Sequence, residues 1–319
     1  MKTLSVVATL LFASTFASAD SLNCAYLANS AGAEPDGYAE QCAVSQSMPW
    51  VAPMLAPDGI TDIGFTLDVR GQVGVPTRLA NSLYTFTLGD FPTQTFVGVT
   101  QASIFAMDFS PEGTTLFGAT GSAAATNPST FGTVNPATGA FTVVGPLTGL
   151  AGGDSATGLT IDPLSGDAFF SAAGGTPASS RLYTLDLTTG ALTVVGQMTA
   201  PTDPTGTLFI DIAMNCEGQL FAHNISDDAL YSIDPTTGAG TLIGLHGLAA
   251  NFAQGMDFDN SDGTLYAFIY TGSGTNRFGS FNLTTGAFST LAQDNPLGEY
   301  EGAIPTQCSN DVIFANGFD

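Results

Sequence analysis

The chain has 319 residues, of which 5 are Lys or Arg and 28 are Asp or Glu, for a net charge of −23. Neutralising phosphates takes Lys and Arg, so nucleic acids, anionic membrane surfaces and phosphorylated substrates are disfavoured as partners. An acid excess of this size fits solubility outside the cell and, as a sharper alternative, attraction for calcium.

Residues 1–19 carry Lys2, an apolar run through Phe12 and Ala17-Ser18-Ala19 ahead of Asp20, the pattern of a secretory signal peptide. Loss of Lys2 with that leader takes the net charge to −24 and leaves Arg70, Arg78, Arg181 and Arg277 as the basic residues. No other stretch reaches the ~18 apolar residues of a membrane span, so the expectation is an exported product without membrane insertion, extracellular, periplasmic or on the cell surface. Residues 20–49 are irregular and rich in Ala, Ser, Gly and Asn.

Cys24, Cys42, Cys216 and Cys308 form an even set in the exported part, which predicts two disulfides and, with no Cys-x-x-Cys pair, no zinc. Cys24 pairs locally with Cys42, or Cys42 with Cys308. Cys216 and Cys308 sit in equivalent turns of units two blades apart, which argues against bridging them.

From residue 50 the chain is repetitive. Leu182 opens LYTLDLTTGALTVVG, and copies start at residues 83, 131, 230 and 278, so the steps between successive copies are 48, 51, 48 and 48. The copies at 131, 182, 230 and 278 are two alternating strands around an Asp/Asn-x-x-x-Gly turn, in which the first side chain binds the turn backbone and the glycine takes positive φ, and the copy at 83 is looser. A second phrase, strand-turn-strand, starts at Gly64, Ala106, Gly158, Asp211 and Gly255, with a truncated copy at Gly302. Together the phrases make four strands per unit of blade period, the signature of a β-propeller. The expectation is an all-β propeller over 50–315 with six four-stranded blades. The sixth is composite, closed by N-terminal residues near Trp50-Val51-Ala52-Pro53; five blades plus an N-terminal extension is the alternative. Tyr84, Tyr183, Tyr231 and Phe278 recur at blade period and read as core packing.

Residues just ahead of, or just inside, innermost strands converge on a channel mouth. Asp62, Asp108, Asp211, Gln254, Asp257 and Glu301 are the candidates there, and a ring of such oxygens suits calcium, which takes six or more. They compete with a plainer expectation, that strand-end side chains bind backbone or water. Asp257-Phe258-Asp259-Asn260-Ser261-Asp262-Gly263 lacks EF-hand spacing and reads as a hairpin turn. His223 and His246 have no nucleophile elbow to serve and read as ordinary strand-end and loop residues. Asn224-Ile225-Ser226 and Asn282-Leu283-Thr284 match the glycosylation pattern, which carries meaning only in a eukaryotic host.

The repeated L-Y-x-[IL]-D-x-T-T-G-x-x-T-x-[VI]-G phrase resembles secreted bacterial β-propeller repeat proteins, over about residues 60–305. That resemblance implies the fold and no activity. Residues 311–319, DVIFANGFD, resemble a short ending on exported proteins of some gammaproteobacteria, which implies a sorting or processing tail. Three functions stand: a monomeric binding module for a small ligand, glycan or protein; a calcium-dependent hydrolase similar to lactonase propellers, with Glu301 on the metal; and a surface-coat protein. Quinone chemistry lacks the Trp-bearing repeats it would require, since Trp50 is the lone tryptophan.

Overall fold

The computed structural model describes residues 63–69, 80–124, 126–175, 179–201, 207–251, 255–272, 275–294 and 299–308. Residues 1–62, which include the expected leader, Cys24, Cys42, the Trp50-Val51-Ala52-Pro53 segment and Asp62, lie outside the described residues, as do Gln254 and residues 311–319. Within them, twenty strands form five four-stranded sheets and no helix is long and apolar enough to cross a membrane.

Four blades are continuous in sequence. Blade 2 is β4 (Ile104–Phe109), β5 (Leu116–Thr120), β6 (Thr130–Val134) and β7 (Phe141–Pro146). Blade 3 is β8 (Asp154–Ile161), β9 (Ala168–Gly174), β10 (Ser179–Leu185) and β11 (Leu192–Gln197). Blade 4 is β12 (Phe209–Met214), β13 (Leu220–Asn224), β14 (Ala229–Ile233) and β15 (Gly240–Leu245), and blade 5 is β16 (Met256–Asp259), β17 (Thr264–Tyr270), β18 (Asn276–Phe281) and β19 (Phe288–Asp294). Blade 1 is made from both ends of the chain. Its innermost strand is β20 (Tyr300–Ala303), followed by β1 (Ile63–Asp68), β2 (Ser82–Thr87) and β3 (Asp90–Val99).

Five blades replace the expected six. The phrases at Gly64 and Gly302 are parts of one blade: Phe65 pairs with Ala303, Thr66 with Gly302 and Leu67 with Glu301 in an antiparallel ladder. The strand at Gly64 is therefore the second of its sheet, and the C-terminal strand supplies the first. Pairing the ends this way removes the open edges a repeat array would otherwise expose.

The strand gradient explains the repeat chemistry. Every residue of β4, β8, β12, β16 and β20 is buried, because an innermost strand meets neighbouring blades on both faces. Outermost strands alternate or face solvent, as in β7 and β11. Tyr84, Tyr183, Tyr231 and Phe278 are buried, as their recurrence implies.

The repeated turn and the final glycine of each phrase also find a physical cause. Asp186 Oδ1 accepts from the Thr188 N–H (2.8 Å) and hydroxyl (2.6 Å), and Gly190 closes the turn at φ 78°. The next blade repeats this with Asp234, Thr236 and Gly238, and that turn docks on the glycine ending the previous phrase. A Cβ at Gly196 would lie 2.1 Å from the Thr237 carbonyl oxygen, and one at Gly244 would lie 2.0 Å from that of Thr285. Turn and glycine are thus two halves of one inter-blade joint.

The joint between blades 5 and 1 is aromatic. Phe91 packs against Phe268 at 5.0 Å between ring centres, Phe86 at 5.3 Å and Tyr300 at 5.5 Å. Burying each such side chain contributes about 1.5–3 kcal/mol, so a cluster of large aromatics closes the propeller.

Candidate functional site

The innermost strands bring Asp108, Asp211, Asp257 and Glu301 toward the propeller axis, all of them buried. Each aspartate is already engaged. Asp108 accepts from the N–H of Phe109 and, with its other oxygen, from Ile161 of blade 3, both at 2.6 Å. Asp257 accepts from Phe258 (2.7 Å) and from Ile304 beyond β20 of blade 1 (2.6 Å). Asp211 accepts from Ile212 (2.8 Å) and Met256 of blade 5 (2.6 Å). In blade 3 a hydroxyl takes the same place, Thr160 Oγ1 accepting from Met214 N–H of blade 4 at 3.0 Å.

In blades 2 to 5 an inner-strand side chain thus reaches the backbone of the next blade, and the aspartates act as inter-blade latches. Asp211 achieves this from φ 66°, at a bulge between Ile210 and Ile212 that turns its carboxylate toward the next blade. Asp211 and Glu301 stand two residues earlier on their strands than Ala213 and Ala303, the positions equivalent to Asp108 and Asp257. The acids therefore form two levels along the axis.

Their electrostatics follow from burial. Desolvation pushes Asp108 up to about 7, against the pull of the two N–H donors and Thr160. Desolvation likewise raises Asp211, Asp257 and Glu301 well above the carboxylate range. The negative charge of Glu301 adds to the shift at Asp211, that of Asp108 to Asp257, and that of Glu299 to Glu301. Among the described residues no group of three or more His, Cys, Asp or Glu side chains has a metal-holding arrangement.

The mouth beside Asp108 and Asp257 is closed by a covalent bridge. Cys216, in the turn after β12, is disulfide-bonded to Cys308, with Cα atoms 5.7 Å apart. This corrects the expectation that two blades' separation keeps them apart: turns after innermost strands converge on the axis, so blade 5 fits between them. Its Asn260 lies beneath the bridge, Oδ1 3.4 Å from Cys216 Sγ, and donates its N–H to Thr306 Oγ1 at 2.6 Å. Gln307 Nε2 donates across to the Glu112 carbonyl at 3.0 Å. The space left there, lined by Asp108, Met214, Asp257, Asn260 and Thr306, is about 10 Å³, enough for about one water and no substrate.

A larger opening lies at the side. Gln219, Leu220, Ser232, Asp234 and Thr241 of blade 4, with Leu283 of blade 5, line an open groove of about 640 Å³. Beside it β15 exposes Leu242 and Leu245, the latter 64% accessible. Nothing in the linear pattern marks this groove, because it is assembled from three strands and a turn of the next blade.

Three further features escaped sequence reasoning. Asp154, at the start of β8, is buried and accepts both bonds of a forked ion pair from Arg181 at 2.6 and 2.7 Å, with the Tyr183 hydroxyl at 3.2 Å. His223, next to the end of β13, and His246, in the loop after β15, are buried against each other. Asn224 is buried too: Oδ1 accepts from Leu208 N–H and Nδ2 donates to Asp227, which leaves no room for a glycan.

A family model described as a repeat of unknown function (DUF6923) matches residues 69–293. No curated protein sequence matches the chain. Solved structures similar to it include the PQQ-bound aldose sugar dehydrogenase of Streptomyces coelicolor, with 14% identity and TM-score 0.41 over 60% of this chain and 68% of that one. The calcium-binding protein regucalcin of Agrobacterium tumefaciens shows 15% identity and TM-score 0.41, covering 67% of this chain and 66% of that one. TolB of Acinetobacter baumannii shows 15% identity and TM-score 0.43 over 74% of this chain and 53% of its own. At these values none of their chemistry transfers.

Proposed function

Since the chain belongs to this repeat family, which defines a fold and no reaction, we propose that it is an exported, non-catalytic binding module that takes a protein segment in the groove between blades 4 and 5. The supporting observation is the division of labour just described. Axial aspartates bind the backbone of the next blade and the adjoining mouth holds about 10 Å³, whereas the side groove offers about 640 Å³. Its apolar members, Leu220, Ile233, Ile243 and Leu283, alternate with Gln219, Ser232 and Thr241, which suits an extended peptide with apolar side chains. Asp234 at its rim, held below the usual carboxylate range by the Thr188-type bond from Thr236, and the net charge of −23 favour a neutral or basic segment. Export fits the Cys216–Cys308 bridge, which persists in oxidising compartments.

The competing function, a calcium-dependent hydrolase, would draw on the same axial acids. Asp108, Asp211 and Asp257 would have to give up bonds from buried N–H groups to ligate an ion, at about 1–3 kcal/mol for each group left bare.

Panning a random peptide library on the purified protein separates the two. Enriched peptides should be apolar and uncharged or basic, and Thr241→Trp, which fills the groove from an exposed strand position, should weaken them by about tenfold or more, 1.4 kcal/mol. Equal binding to the Thr241→Trp variant would remove the groove as the site. Hydrolysis of a lactone and ester panel, abolished by Glu301→Gln in a folded protein, would replace the binding function with the catalytic one.

A further inference from the structure

Away from the axis, at the seam of blades 4 and 5, two imidazoles face each other. His223 lies in β13, and His246 follows β15 with its main chain held at both ends, donating to the Asp228 carbonyl (2.8 Å) and accepting from Phe288 N–H (3.0 Å). Their ring centres are 5.5 Å apart, and Phe281 packs against them at 6.1 and 5.1 Å. Both side chains are buried, at 0% and 1% exposure; no hydrogen bond of ordinary geometry reaches their ring nitrogens, and the backbone group that acts on them is Ala229, beside His246.

That arrangement is costly as packing alone. Each imidazole has a donor and an acceptor, and a buried polar group left unsatisfied costs about 1–3 kcal/mol, a penalty that phenylalanine at either position would avoid. The nitrogens are therefore placed for something that supplies the missing bonds. No carboxylate or third histidine or cysteine joins them in a metal-holding group among the described residues, which excludes hard oxygen-seeking cations and four-coordinate zinc. Two nitrogen donors in an apolar pocket match a soft monovalent ion content with two ligands. Metal–nitrogen bonds of about 2 Å on either side of one ion put the ring centres about 6 Å apart when collinear and closer when bent.

We propose that His223 and His246 form a two-coordinate site for a soft monovalent cation of the copper(I) class. The pocket keeps both ligands in the form that binds. Burial lowers His246 to about 4 and His223 well below the usual histidine range, so both lone pairs are free across the neutral range. Entry is from the solvent side of His246, where Gly247 and Ala249 are exposed.

Silver(I), which shares the two-coordinate preference and is inert to redox exchange, is the probe. The chain contains two histidines, so imidazole-detected NMR of the whole protein reports on this pair alone. Both imidazoles should shift together at one equivalent of silver, with a rise in Tm, while zinc leaves them unmoved. His223→Phe and His246→Phe should each fold with an unchanged or higher Tm and lose the silver response. Histidine signals that ignore silver, or a silver-induced rise in Tm that survives the double variant, would overturn the site. Equal displacement by zinc would overturn its two-coordinate character. The wild-type spectrum decides even if a variant fails to fold.

Discussion

Replacing Cys216 and Cys308 together with alanine should lower stability by about 4–5 kcal/mol, the chain-entropy value for a loop near the 92 residues this bridge closes. In a chain of this size the loss corresponds to a fall in Tm on the order of 10 °C. The bridge matters more than its loop length alone because of where it sits. Blade 1 is assembled from residues that begin at Ile63 and end at Ala303, and its innermost strand β20 is four residues long. Cys308 ties the chain just beyond β20 to blade 4, so the closing strand stays tethered near its place when its ladder opens. Denaturant unfolding of the double variant measures the loss, and hydrogen exchange should show it first at Thr66, Leu67 and their β20 partners. A loss under about 1 kcal/mol would mean that the aromatic joint closes the ring unaided.

Removing a latch should be nearly as damaging. Asp108→Ala strands the N–H groups of Phe109 and Ile161 in the interior, at about 2–5 kcal/mol for the pair. Asp108→Asn keeps one acceptor and costs less, and it also removes a proton site. The folded protein holds that proton up to about pH 7, whereas an unfolded aspartate releases it near 3.8, so the folded state binds more protons in between. Asp108 therefore contributes stability that is full below pH 3.8 and is lost as pH rises through about 7. Asp211, Asp257 and Glu301 act in the same direction. His223 and His246 act in the opposite one, because a histidine that is neutral when folded and protonated when unfolded costs stability as pH falls below 6.5. The two effects offset each other in the wild type, so the informative quantity is the difference between wild type and Asp108→Asn. The stability of Asp108→Asn relative to wild type should improve steadily from pH 4 to pH 7, and a constant difference would show that Asp108 is ionised throughout.

The features legible in the sequence are those whose causes are local. The Asp186 to Gly190 turn and the glycine at 196 lie within one repeat, and their period alone specifies a propeller. A blade shared by both ends of the chain was legible, but not which strands meet in it or the count of five, because Thr66 and Glu301, joined by a 2.9 Å bond, are 235 residues apart and each half-phrase looks like the start of its own blade. The disulfide was misjudged for a related reason: distance around the ring does not predict distance across its narrow axis. Asp108, Asp211 and Asp257 lie on innermost strands. Their partners are backbone N–H groups of the next blade, which leave no trace in side-chain identity. The histidine pair was missed because His223 and His246 are separated by a strand and a turn, and burial is what gives them meaning.

The axial carboxylates hold neighbouring blades together through bonds from backbone N–H groups. Thermal unfolding in EDTA, then in millimolar calcium at matched ionic strength, tests it most directly, since an ion bound only by the folded state must raise Tm. The same Tm is expected in both. A saturable rise with calcium that disappears in Asp211→Asn would contradict it and make the acids a metal centre.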